Sequence, residues 1–212
     1  MPRRRAVRRC PNLNTVVGAA RPAFTGTPSQ CTVCFRPEHI LTLLRRNILS
    51  APYVVACVAW VSAPELLDAL ARCRGVSLVV NYDRTLLRKH REAFARLTPM
   101  PGNTSAVRYL RGGGRALMHH KFCVFLVRTA LSLSLSVKLS HSHASPLFQD
   151  EDKVPMGDVV TGSYNWTKNS QNNLEHVVLL RGDQALAARF MREHLTLRRS
   201  ATTLRRGATT RR

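Results

Sequence analysis

His119-His120-Lys121 and, further along the same chain, Gly162-Ser163-Tyr164-Asn165-Trp166 decide how this sequence reads. Each lies beside a short apolar run, Phe122 to Val127 and Val159-Val160, which places it at the end of a buried strand. Residues two apart in a strand point to the same face, so His119 and Lys121 reach one ligand together. Ser163 and Asn165 share that relation where the chain is extended, leaving His120 and Tyr164 to face the other way. The residue types suit an anionic ester of phosphorus. Attack on a phosphodiester needs positive charge and hydrogen-bond donors on its non-bridging oxygens. Lys121 supplies the charge, while Ser163 and Asn165 supply neutral donors. A neutral ring nitrogen of His119 serves as the nucleophile, giving a covalent phosphohistidine.

Either element alone is ordinary: His-x-Lys also ends solvated strands, and Gly-Ser-x-Asn-Trp also makes turns. A third element follows, Gln171-Asn172-Asn173-Leu174-Glu175, leading into the apolar run His176 to Leu180. In this order the three resemble the phospholipase D superfamily over the whole stretch. The resemblance is to its single-motif members, the bacterial Nuc-type endonucleases and the mitochondrial cardiolipin hydrolase/Zucchini group. It implies hydrolysis of phosphodiester bonds by a histidine nucleophile, with no cofactor required for catalysis. In those relatives a glutamate after the Asn-Asn pair orients the catalytic histidine, and Glu175 is the residue that matches. A carboxylate on one ring nitrogen fixes the tautomer and stabilises the imidazolium.

A single motif leaves the reaction short of one group, because the leaving oxygen needs a proton and water must later be activated. No second His-x-Lys occurs, and His90, His141, His143, His176 and His194 lack the partners. A twofold homodimer sharing one active site, with His119 from both copies across one groove, answers the need most economically.

One element departs from the family pattern. The family has an aspartate after four further residues, where this chain has Leu126. The chain runs on through a Ser- and Leu-rich stretch before reaching Asp150-Glu151-Asp152. With residues 126–149 removed, Phe125 joins Asp150, and His119, Lys121 and Asp150 stand at the family spacing. Leu-Ser-Leu-Ser-Leu-Ser is what a CT repeat encodes, and Pro-Leu-Phe-Gln fits a pyrimidine-rich tract closing in CAG. Residues 126–149 are therefore read as a retained intron or an insertion. Uniform presence of the segment in mature messenger, with full activity, would sink the intron version. The plain alternative is a long hairpin loop, tolerated because closure entropy grows slowly with length.

The fold class read from the middle of the chain is α/β, a phospholipase D-like fold with a mixed, largely parallel sheet flanked by helices on both faces. Glu38 to Leu49 has apolar residues at helical spacing after Pro37. Tyr53 to Val61 and Val76 to Val80 read as buried strands. Helical segments are placed from Ser62 through Cys73 and from Thr85 to Leu97. Val107 to Leu110 is a short strand, and Asp183 to Leu197 is the last helix. Such alternation implies parallel strands with helices on the faces. Gly112-Gly113-Gly114 lacks a Gly-Lys-Ser/Thr ending and opens no helix, so it reads as a hinge and not a phosphate loop.

At 212 residues, 44% of them hydrophobic, the chain can bury one sizeable core. No run approaches the roughly 18 apolar residues of a membrane span. The formal net charge is +21. Residues 1–37 carry seven arginines and residues 198–212 six more, with no acid in either, which leaves +8 between them. Expected domains are a basic, disordered segment over 1–30, a catalytic domain over 31–197 and a basic, disordered tail over 198–212. The basic ends also suit nucleic acid or anionic phospholipid. Met1 to Phe24, arginine-rich and acid-free, resembles an organelle transit peptide, so an intracellular and mitochondrial destination is one reading.

Six cysteines without a secretory signal suggest reduced thiols, with Cys57, Cys73 and Cys123 in the core. Cys31, Cys34 and His39 offer three soft ligands just before the first helix, as in the small Cys/His zinc element of the Zucchini group, though with different spacing. A structural zinc there needs a fourth ligand, such as Cys10. Three functions remain open: an endonuclease, favoured by the basic middle; a cardiolipin hydrolase or other phospholipase, favoured by the N-terminal cysteines and layout; and a catalytically impaired product of the insertion.

Overall fold

The structure, a computed structural model, describes residues 30–111, 117–126 and 157–203. Runs of β-branched and aliphatic residues bounded by polar, Gly or Pro positions form its strands. These are β1 (Gln30–Cys34), β2 (Tyr53–Val58), β3 (Gly75–Asn81), β4 (Val107–Leu110), β5 (Lys121–Leu126), β6 (Gly157–Gly162) and β7 (Val177–Arg181). They make one sheet in the order β1-β7-β6-β5-β2-β3-β4. The described helices are α1 (Pro37–Ser50), α2 (Pro64–Leu70), α3 (Arg84–Lys89), α4 (Arg91–Ala95) and α5 (Gln184–Ser200), with a 3-10 turn at Asn169–Asn172.

Alternation along the strands sorts side chains to two faces. Val54, Ala56, Val58, Leu78, Val80, Cys123 and Phe125 pack with Ile40, Leu44 and Ile48 of α1 and Leu66 and Leu70 of α2. On the other face Val55, Val124, Leu126 and Val159 meet Ala187 and Met191 of α5. Helices thus cover both faces, as the sequence implied. Local signals fix their ends. Pro37 opens α1 with Glu38 in the first turn, where the helix dipole favours a carboxylate. Gly182, at φ 71°, turns the chain out of β7 in a conformation few other residues adopt. Asp183 then caps α5 by accepting from Leu186 N at 2.9 Å.

Several expectations need correction. The sheet is mixed, but only β2–β3 and β3–β4 pair in parallel, while the other four ladders are antiparallel. Helix–strand alternation is confined to residues 37–110. The strands β5, β6 and β7, which follow it in the chain, pair with their neighbours antiparallel. The disordered tail expected over 198–212 does not begin at residue 198. α5 continues to Ser200, Arg198 and Ala201 are buried, and Thr202 exchanges two backbone hydrogen bonds with Tyr109.

The metal expectation fails on geometry. Cys31 and Cys34 lie three apart on β1, which sends them to opposite faces of the strand. His39 lies on α1. Among the described residues no group of three or more His, Cys, Asp or Glu is arranged to hold a metal ion. Nor is any helix among them long and apolar enough to cross a membrane. Cys10, the arginine-rich leader, the glycine triplet, Asp150 and the stretch 127–149 lie outside the described residues.

Candidate active site

β5 runs antiparallel to both neighbours. Its first residue, Lys121, therefore sits opposite Val58 at the end of β2, and Phe122 sits opposite Thr161 near the end of β6. Gly162, the last residue of β6, pairs in turn with Val177, the first of β7. One end of the sheet thus collects His119 and Lys121, the segment Ser163–Trp166, and Glu175. The backbone there is tied across the sheet. Trp166 N donates to Trp60 O at 3.0 Å, while Ser62 N and Ala63 N donate to Trp166 O at 2.7 and 2.9 Å. Ala59 N donates to His120 O at 2.9 Å, extending the β2–β5 ladder past the strands. Tyr164 and Trp166 turn into the core beneath α1 and α2 and anchor the segment.

Gly162 is required by a close approach. A Cβ there would collide with the His176 carbonyl oxygen and stand 2.8 Å from Val177 Cα, both of them backbone. Gly162→Ala is expected to destabilise the protein by about 1–3 kcal/mol through this overpacking and to displace Ser163. An unchanged midpoint in urea denaturation would contradict that close approach.

The polar side chains form a linked set. Ser163 Oγ donates to Glu175 Oε2 and accepts from His176 N at 3.1 Å, while Ser163 N donates to His176 O at 3.0 Å. Asn173 Nδ2 donates to Glu175 Oε1 at 3.4 Å. Both carboxylate oxygens are therefore held by Ser163 and Asn173, and the expected Glu175–His119 hydrogen bond is not made in the single chain. Lys121 Nζ donates to His119 O at 2.8 Å. Burial pushes the Lys121 ammonium below its ordinary pKa, and the negative charge of Glu175 opposes that shift. The same carboxylate, after burial and Glu65, helps to raise the Tyr164 phenol to about 12. Asn165 is half-buried, with its Oδ1 buried and without a partner.

His119 is exposed, and its ring meets Trp60 edge-on with centroids 5.6 Å apart. Lys121 Nζ stands 5.9 Å from the centre of the same indole. Trp60 is a site residue that sequence reasoning missed. Its only signal was an aromatic within two residues of the end of a buried strand. His120, as expected, points the other way, with Nε2 3.5 Å from Glu193 Oε1 on α5. The structure brings His119, Lys121, Ser163, Asn165 and Glu175 to one end of the sheet. It does the same for neither Cys31, Cys34 and His39 nor, among described residues, a counterpart of Asp150. Leu126, at the position where the resemblance implies an aspartate, faces α5, on the opposite side from Lys121, fully buried. The grouping of the other five does not depend on that position.

This seven-stranded mixed sheet with its flanking helices is the phospholipase D-like fold. Nuc from Salmonella typhimurium, a phospholipase D family member, superposes with a TM-score of 0.56 at 18% identity, over 84% of this chain and 100% of that one. NucT from Helicobacter pylori does so at 0.55 and 15%, with the same coverage, and polyphosphate kinase from Porphyromonas gingivalis at 0.51 and 12%, over 84% of this chain and 27% of its own. In sequence, the uncharacterized protein L381 of Acanthamoeba polyphaga mimivirus is 25% identical over 180 residues, which cover 76% of this chain. The chain spans 62% of the length of that relative. No family model matches the chain.

Proposed function

We propose that this chain is a phosphodiesterase of the phospholipase D kind, and that nucleic acid is its leading substrate. The supporting observation is the gathering of His119, Lys121, Ser163, Asn165 and Glu175 at one end of the sheet. A ring nitrogen of His119 attacks phosphorus, a nitrogen–phosphorus bond forms, and the bond from phosphorus to the leaving oxygen breaks. His119 of a second copy protonates that oxygen. It then takes a proton from the water that splits the phosphohistidine. Lys121 and the Asn165 amide stabilise charge on the non-bridging oxygens. Ser163 and Asn173 hold the Glu175 carboxylate in place, ready to orient an imidazole once substrate or the second copy completes the groove. Asp150 would be a supporting residue only in a chain without residues 126–149. No step needs a metal.

Cleavage of a labelled single-stranded oligonucleotide in excess chelator, by the full chain and by the form lacking residues 126–149, tests the proposal. Turnover that survives chelation and vanishes in His119→Ala supports it, and turnover abolished by chelator alone overturns it. Glu175→Gln is expected to lower kcat by about 10²-fold with a smaller change in KM, since it removes orientation of a proton-transfer group and not substrate contact. Equal rates would remove Glu175 from the mechanism.

Phospholipid is the second reading, because Leu117, Leu174 and Phe35 expose apolar surface beside the site residues; Phe35 is 69% exposed, and its ring lies 6.5 Å from that of His176. Vesicles containing cardiolipin are its direct substrate test.

A further inference from the structure

Beside the reacting groups the sheet edge carries a row of aromatic and cationic side chains. In the sheet order β5-β2-β3-β4, the strand ends present Lys121 with His119, then Trp60, then Tyr82, then Arg111. β2, β3 and β4 are parallel, so their C-terminal ends share one edge, and antiparallel β5 brings Lys121 to it. The backbone keeps this order past the strands, with Asn81 N donating to Ala59 O and Tyr82 N to Leu110 O, both at 3.0 Å. Trp60 lies against His119 and Lys121, and Tyr82 packs against the core beneath α1 and α2 with Arg111 over its ring. Neighbouring strands are about 4.8 Å apart, so each step moves roughly one strand away from His119.

The contacts in the row suit stacking. Trp60 stands edge-on to His119, and the Arg111 guanidinium lies 4.6 Å from the centre of the Tyr82 ring. An exposed Arg over a half-buried Tyr offers a flat cationic platform that an unpaired base can cover and a phosphate can pair with. Acyl chains would gain little there, because the guanidinium would lose water without a partner.

We propose that Trp60 and the Tyr82–Arg111 pair form a stacking track for the unpaired bases next to the scissile phosphate, which makes single-stranded nucleic acid the substrate of this site. The track rests on the phosphodiesterase reading only for the position of the scissile phosphate. Stacking on an aromatic side chain tolerates every base, so the track selects single strands without selecting sequence.

Binding without turnover separates the two ideas. The full chain carrying His119→Ala is titrated with a fluorescent oligothymidylate and with an abasic strand of equal length. Stacking makes the base-bearing strand bind at least about tenfold more tightly. In the same background Trp60→Leu and Tyr82→Leu each reduce that preference by about tenfold, whereas Tyr82→Phe retains it. Circular dichroism and the thermal midpoint identify any variant that has lost its fold, and Trp60→Leu keeps the comparison usable if Tyr82→Leu does. Equal binding of the two strands, or a preference unchanged in the Trp60/Tyr82 double variant, overturns the track. Tight binding to anionic vesicles with none to either strand overturns it as well. Base preference without cleavage by the unmutated chain would sink the phosphodiesterase reading and leave the track standing.

Discussion

His119→Ala is expected to lower turnover by about 10⁴-fold or more while leaving the fold intact. The size follows from the double duty proposed for this residue. In one copy it is the nucleophile, and general acid–base catalysis by its counterpart supplies another roughly 10²–10⁴-fold. The substitution removes both at once. The side chain is exposed and its edge contact with Trp60 is worth about 1 kcal/mol, so stability changes little. Mixing gives the sharper test. If active protein and His119→Ala exchange subunits freely, a shared groove needs the histidine from both copies. At fixed total protein, an equal mixture then has about a quarter of the activity of the unmutated protein and not half, because every mixed dimer lacks one of the two histidines. Activity that falls in proportion to the active subunits would show two independent sites and remove the second histidine from the mechanism. A monomer with full activity would do so more directly.

The parts of this site legible in sequence were those that strand alternation and chemistry fix locally. His119 and Lys121 had to share a face, His120 had to leave it, and the pairing of β5, β6 and β7 brings Ser163 and Glu175 alongside. Contacts made across the fold were not legible. The tie between Trp166 and residues 60–63 joins segments more than 100 positions apart, and the Ala59 N to His120 O bond ties the residues beside Trp60 to those beside His119. Nothing in the local pattern of β2 separates a strand ending at Val58 from one running to Val61. β1 was missed for a related reason. Its residues are mostly exposed, and its partner β7 lies at the far end of the chain, so Cys31-Thr32-Val33-Cys34 drew attention as ligands and not as an edge strand. The parallel majority was an extrapolation from the first half of the domain, where βαβ connections do occur.

The largest effect on stability is expected from acid, acting through His194. This residue of α5 is fully buried between helix and sheet, with Nε2 2.9 Å from Ser77 Oγ on β3 and Nδ1 3.4 Å from Cys57 Sγ on β2. Burial, with Arg198 one turn on, lowers its pKa from 6.5 to about 3. In the unfolded chain the imidazole returns to about 6.5, so between these values the unfolded state binds the extra proton and is favoured by it. The stabilisation is complete above pH 6.5 and is lost as pH falls towards 3. Each unit corresponds to about 1.4 kcal/mol, so the whole window is worth on the order of 5 kcal/mol, comparable with the net stability of a domain. Urea denaturation should show ΔG falling steeply from pH 6.5 downwards, with unfolding complete before pH 3. Carboxylates such as Asp158, bound to Arg181 at 2.8 Å, add to the slope at the acid end, so a variant must isolate the histidine. His194→Gln keeps an amide able to reach Ser77 and does not titrate. Its stability at pH 7.5 is expected to fall by about 1–3 kcal/mol for the altered buried bonds. Its dependence on pH between 6.5 and 4.5 should flatten by the equivalent of one proton. If the variant and the parent lose stability in parallel across that interval, His194 is not the group that couples α5 to the sheet through its neutral form.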